Sequence, residues 1–120
     1  MATREFTHTR IGPNARRIVW TGLLNGDDGT PFDGFQDAIR CIQVFGTFGA
    51  GGSLQLEASL EATSTTYGIL HDTAGSDLTF TAARIEQVQE GLVRYRPRVT
   101  AGDGTTTLTV IVTEGIRGLA

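Results

Sequence analysis

Apolar and polar residues alternate with a period of two along much of this chain, the pattern of strands that bury one face. The clearest run is Ser53 to Leu60, with Leu54, Leu56, Ala58 and Leu60 on one side and Ser53, Gln55, Glu57 and Ser59 on the other. Arg17 to Leu24, RIVWTGLL, predicts a first strand with Ile18 and Trp20 on one face. From Ala38 to Phe48 apolar residues fall on both sides, Ile39, Cys41 and Phe45 against Ile42, Val44 and Phe48. That pattern predicts a central strand covered on both faces, with Cys41 as a small core residue. Tyr67 to Leu70 and Leu78 to Phe80 read as short strands flanking the loop HDTAGSD. Residues 84–90 are ambiguous, because Ile85, Val88 and Leu92 fit a helical spacing in a stretch too short for a stable helix.

The last strong signal is VRYRPRVTAGDGTTTLTVIV, Val93 to Val112. It predicts two strands joined at Ala101-Gly102-Asp103-Gly104, a hairpin connection by composition. In the second, Leu108, Val110 and Val112 share a face. In the first, Val93, Tyr95, Pro97 and Val99 share one face, while Arg94, Arg96 and Arg98 form a stripe on the other. Proline donates nothing to a ladder, so Pro97 suggests an edge or a bulge. The stripe has two main readings: a solvated outer face balanced by cross-strand neighbours, or a charged patch that meets a partner protein. Nucleic acid fits poorly, since phosphate chains need a broad positive field and the net charge is −3.

Composition supports the strand reading. Glycine supplies 16 of 120 residues, well above the usual share, and threonine is abundant. The expectation is an all-β chain: one β-sandwich or jelly-roll domain of about eight short antiparallel strands over residues 18–120. Residues 1–17 read as an N-terminal arm. It carries Arg4, Arg10, Arg16 and Arg17 against Glu5, a net +3 against −6 for the rest. Such a segment frays unless a neighbouring copy, a larger assembly or its own domain holds it. All ten cations are arginine, which suits fixed planar contacts slightly better than lysine does.

The search for chemistry yields little. Cys41 is the only cysteine, so no intrachain disulfide forms. His71 adjoins Asp72 but has no evident nucleophile. Asp27, Asp28 and Asp33 lack EF-hand spacing, and the glycine run GAGGS leads into a strand rather than a helix. The expectation is no catalytic residue, no metal and no cofactor. The amino terminus lacks the apolar core of a secretory signal, and no apolar run nears the ~18 residues of a membrane span. Synthesis in a reducing cytosol is expected.

The segments FGTFGAGGSLQLEASLEATSTTYGIL, LTFTAARIEQV and RYRPRVTAGDGTTTLTVIV together resemble small virion proteins of tailed bacteriophages. The likeness lies in a glycine turn leading into an alternating strand, a Thr-Phe-Thr element, an Arg-Pro-x-Val-Thr-x-Gly-Asp-Gly turn and a threonine-rich final strand, over roughly residues 18–113. TSTT stands where such proteins usually have an Asp/Asn-Gly turn, and Tyr67 where Trp is more usual. The resemblance implies a capsid decoration, or cement, protein on the outer surface of the virion, made in the host cytoplasm. It implies the major capsid protein as partner, together with self-association, a trimer favoured over a dimer, and no nucleic acid or membrane. The expected capsid or subunit interface comprises Arg4, Arg10, Arg16, Arg17, Arg94, Arg96 and Arg98. The alternative is a carbohydrate- or receptor-binding β-sandwich of a head fibre or tail component, using Trp20 or Tyr67 near Asp27, Asp28 and His71.

Overall fold

The computed structural model describes residues 1–35, 38–61, 63, 66–91 and 94–116. These are all β, with no helix among them and so none long and apolar enough to cross a membrane. In chain order the strands are β1 (Thr3–Arg4), β2 (Thr7–Gly12), β3 (Ala15–Leu24), β4 (Asp28–Gly29), β5 (Phe32–Asp33), β6 (Ala38–Thr47), β7 (Ser53–Ser59), β8 (Gly68–Ile69), β9 (Thr79–Phe80), β10 (Arg84–Val88), β11 (Arg94–Ala101) and β12 (Thr107–Ile116). Several are two-residue pairings that periodicity cannot reveal, which is why the sequence suggests about eight. They form two sheets. One runs β10-β6-β12-β3-β2; the other runs β1-β4-β11-β7-β8, with β5 also on β11 and β9 also on β7.

One apolar cluster draws on both sheets, an arrangement compatible with a β-sandwich. The five-stranded sheet contributes Ile18, Trp20, Leu23, Ile42, Val44, Leu108, Val110 and Val112. The other contributes Leu54, Leu56, Phe80, Tyr95 and Val99. Each fully buried large side chain of this kind stabilises the fold by about 1.5–3 kcal/mol relative to exposure. On β3 the inward set steps from Trp20 to Leu23, because the register against β12 shifts between Leu108 and Val110. Gly22, at φ 68°, takes up the extra residue of that bulge without a Cβ penalty.

Several sequence expectations change. Residues 84–90 hold a strand, β10, antiparallel to β6, because pairing with β6 outweighs a marginal helical period. The two Val93–Val112 strands do not form a hairpin. β11 lies between β7 and β4/β5 in one sheet, and β12 between β6 and β3 in the other, so the Gly102–Thr106 turn carries the chain across the core. Ser59 ends β7, leaving Leu60 84% exposed, while Glu57 and Ser59 are buried. On β6, Arg40 takes the inward slot and Cys41 turns outward, half-buried, onto a face that no other described element covers. Cys41 is therefore not a core residue.

Residues 1–17 are held by their own domain. β1 pairs in parallel with β4, and β2 lies antiparallel to β3 in the other sheet. Between them Phe6 inserts against the core, with its ring edge-to-face at 5.9 Å from Trp20 and 4.8 Å from Phe32. The segment thus spans both sheets along one side. Gly29 makes this junction possible: a Cβ there would meet Trp20 Nε1 at 2.5 Å and Pro97 Cδ at 2.7 Å.

Candidate interaction surface

β11 positions the arginine stripe. Tyr95, Pro97 and Val99 point into the core, so Arg94, Arg96 and Arg98 share the outer side of the seven-stranded sheet. β11 is not an edge there. Pro97 sits between the β5 pairing at Arg94 and Tyr95 and the β4 pairing at Arg98, a gap in which its missing N–H breaks no ladder. The stripe finds its counter-charges within the same sheet. Arg94 Nε lies 3.0 Å from Asp33 Oδ1. Arg96 donates to Glu57 Oε1 at 2.8 Å and to Asp28 Oδ2 at 3.1 Å, and its guanidinium lies 3.8 Å from the centre of the Tyr67 ring. Arg98 donates to Glu57 Oε2 at 3.2 Å. Gln55 adds a third donor residue to Glu57 at 2.7 Å. Glu57, only 3% exposed, is thus the centre of a closed charge cluster. Among the two solution readings of the stripe, these contacts match cross-strand balancing: three arginines face three carboxylates.

The N-terminal arginines differ among themselves. Arg4 Nε donates to Asp27 Oδ2 at 2.8 Å; the amides of Ala2 and Leu24 donate to the same carboxylate, each at 2.9 Å. Burial pushes Asp27 up, but the Leu24 amide, Arg4 and the Ala2 amide outweigh it and leave the carboxyl below its ordinary value. Arg16 donates to Glu114 Oε1 at 2.7 Å and to the Asp33 carbonyl at 2.8 Å, between the rings of Phe32 and Phe35. Arg10 is exposed and folds back onto the carbonyls of Gly12 and Pro13. Arg17 is exposed on the outer face of the five-stranded sheet. Among the described residues, neither Arg10 nor Arg17 has a carboxylate partner.

Sequence reasoning missed the most buried charges. Arg40 on β6 and Glu114 on β12 are cross-strand partners with fully buried side chains. Arg40 Nε donates to Glu114 Oε2 at 2.5 Å, and its Nη1 donates to the carbonyls of Glu90 and Gly91. Arg40 also lies 4.8 Å from the Tyr95 ring. Burial, with the nearby Glu114 charge, pushes the Tyr95 hydroxyl far above its ordinary pKa. A signal was available: Arg40 falls in line with Ile42 and Val44, and Glu114 with Val110 and Val112. Opposite charges in inward slots of two strands predict a buried pair.

The remaining candidates are engaged internally. His71 Nδ1 lies 2.6 Å from Glu90 Oε2 and Nε2 lies 3.3 Å from Asp77 Oδ1. The Asp27, Asp28 and Asp33 carboxylates contact Arg4, Arg96 and Arg94 in turn. No group of three or more His, Cys, Asp or Glu residues that could hold a metal occurs among the described residues. Trp20 is fully buried, with Nε1 donating to the Thr30 carbonyl at 3.2 Å, and Arg96 covers one face of Tyr67. Comparison of the chain with protein-family models, with curated proteins and with solved structures found no match.

Proposed function

We propose that this chain is a structural virion protein that decorates a bacteriophage capsid and stabilises it by bridging neighbouring major capsid protein subunits. The observation that carries the reading is the closure of the fold on itself. The N-terminal strands are tied to both sheets, and the buried or half-buried ionisable groups neutralise one another, so the body offers stiff faces rather than a reactive cleft. The resemblance to phage virion proteins supplies the setting: a jelly-roll sandwich on the outer capsid surface, made in the host cytoplasm, converting no substrate.

A protein that binds only the assembled shell opposes rupture by mass action, by about 2.7 kcal/mol per site at a free concentration one hundred times Kd. Lattice repetition multiplies modest contacts into avidity. Of the seven arginines expected at the interface, Arg10 and Arg17 retain charge to offer an acidic capsid surface. Arg4, Arg16, Arg94, Arg96 and Arg98 act mainly by shaping the faces. The test is to strip the protein from purified heads and then restore it. Restored chain should return heat resistance, and the double variant Arg10→Glu, Arg17→Glu should bind heads less well. Heads equally heat-resistant with and without the protein would refute cementing.

A further inference from the structure

The outer face of the five-stranded sheet is unlike the rest of the surface. Ile85 on β10, Ile39, Cys41 and Phe45 on β6, Ile111 on β12 and Val19 on β3 all turn away from the core. Ile85 is 63% exposed, Ile39 42% and Phe45 38%. The registers align them into one patch: Ile85 and Ile111 both oppose Gln43, and Val19 opposes Ile111. Shallow depressions lined by Ile39, Cys41, Ile85, Ile111 and Thr113 run along it. The other outward residues of these strands include Gln43, Thr47, Gln87, Thr21, Thr107, Thr109 and Thr113, and among the described residues Arg17 near the β2 margin is the one charge on this face. A strongly apolar, almost uncharged sheet face of this extent marks an interaction site.

We infer that this face binds the same face of a second copy of the chain about a two-fold axis. Three observations select that occupant. First, size: five strands about 4.8 Å apart, the longest of ten residues at about 3.3 Å rise, give roughly 600–800 Å². A standard interface needs about 800 Å² per partner. Second, charge: an isologous pair brings each residue near its own symmetry mates, so like charges would oppose one another, and this face is nearly free of them. A capsid site recognised through charge has nothing to pair with here except Arg17. Third, shape: the outward side chains are mostly β-branched or small, which suits two sheets stacked about 10 Å apart with interdigitating rows. Two-fold pairing replaces the trimer suggested by resemblance, and it does not depend on attachment to a capsid.

The experiment combines sedimentation of the full chain, from about 1 to about 100 μM, with maleimide labelling of Cys41. Cys41 is half-buried on this face and is the only thiol, so it reports directly on face pairing. The expected result is a dimer whose Cys41 labelling slows as the dimer fraction grows. Ile111→Glu and Ile85→Glu should each shift the chain to monomer and restore labelling, with thermal unfolding still cooperative. If a variant fails to fold, labelling of the wild-type chain alone decides. A chain monomeric throughout, a trimer, or a dimer whose Cys41 labels equally fast at all concentrations overturns the inference. A chain that is monomeric yet still protects stripped heads overturns the pairing and leaves cementing intact.

Discussion

Glu114→Gln tests the buried ion cluster between the sheets. The Glu114 carboxylate receives Arg16 on Oε1, at 2.7 Å from Nε and 2.6 Å from Nη2, and Arg40 on Oε2; the Phe35 amide donates at 3.3 Å. Its side chain and that of Arg40 are fully buried, and that of Arg16 is 12% exposed. The amide of glutamine keeps the shape and one acceptor but removes the counter-charge from two guanidiniums. Removing one partner of a buried pair costs about 3–5 kcal/mol, because the other charge stays desolvated. Arg40 retains the Glu90 and Gly91 carbonyls and the Tyr95 ring, and Arg16 the Asp33 carbonyl, which places the expected loss at about 3 kcal/mol. For a domain of this length that lowers Tm by roughly 10–15 °C. Urea unfolding of the wild type, Glu114→Leu, Arg40→Met and the Arg40→Met/Glu114→Leu double variant, beside Glu114→Gln, completes a cycle. The double variant should recover the part of the loss that belongs to Arg40, since apolar replacement of a buried pair is often neutral, while Arg16 still lacks its carboxylate. A Glu114→Gln loss below about 1 kcal/mol would refute the claim that these charges depend on one another.

The arginine stripe should behave as structure: Arg96→Ala leaves buried Glu57 and Asp28 short of a partner and should cost about 2–4 kcal/mol by urea unfolding, whereas a loss under ~0.5 kcal/mol would mark it as an ordinary surface cation. Gly29→Ala should destabilise the fold and expose the N-terminal segment to proteolysis between Arg4 and Thr7, because the added methyl collides with Trp20 and Pro97; unchanged protease resistance contradicts this. The His71–Glu90 pair should impose a pH window. The Glu90 hydrogen bond raises His71 above 6.5 against burial, so its stabilisation is complete below pH 6.5 and fades as pH rises through the raised value. Burial raises Glu90, but the His71 bonds outweigh it and hold it below 4.5, so its stabilisation is complete above pH 4.5 and fades as pH falls through the lowered value. The stability difference between wild type and His71→Asn should therefore peak between pH 4.5 and 6.5, and a flat difference sinks the assignment. At acid pH, Asp103→Asn should flatten the loss of stability as pH falls from 3.8 towards about 2, since hydrogen bonds from Thr105 and the Ala50 amide hold that carboxyl at about 2; an unchanged acid limb argues against it.

Alternation in the sequence located the long strands and their inward residues well: Leu54 and Leu56, Tyr95 and Val99, and Leu108 to Val112 lie where the period puts them. It could not show sheet membership. Nothing local distinguishes a hairpin from a crossing, and β11 and β12 are separated by partners distant in sequence. It put Glu57 on the outer face, where it lies, but could not show its burial there, which Arg96 and Arg98 on the neighbouring strand make tolerable. The outward apolar residues of β6 suggested cover on both faces; the pattern records an apolar face but not what meets it. Legible from the start was the regular arginine stripe. Its neutralisation by Asp28, Asp33 and Glu57 depends on registers that only the folded sheet defines.

Among the described strands β12 comes last in chain order, yet it lies in the middle of its sheet, between β3 and β6. While the chain emerges from a ribosome, those two strands must wait with open edges, side by side with nothing to join them. Unpaired edges recruit other chains, so the nascent protein is prone to aggregate until β12 arrives. Loss of β12 would split a sheet rather than trim it, and slow expression at low temperature should raise the soluble yield.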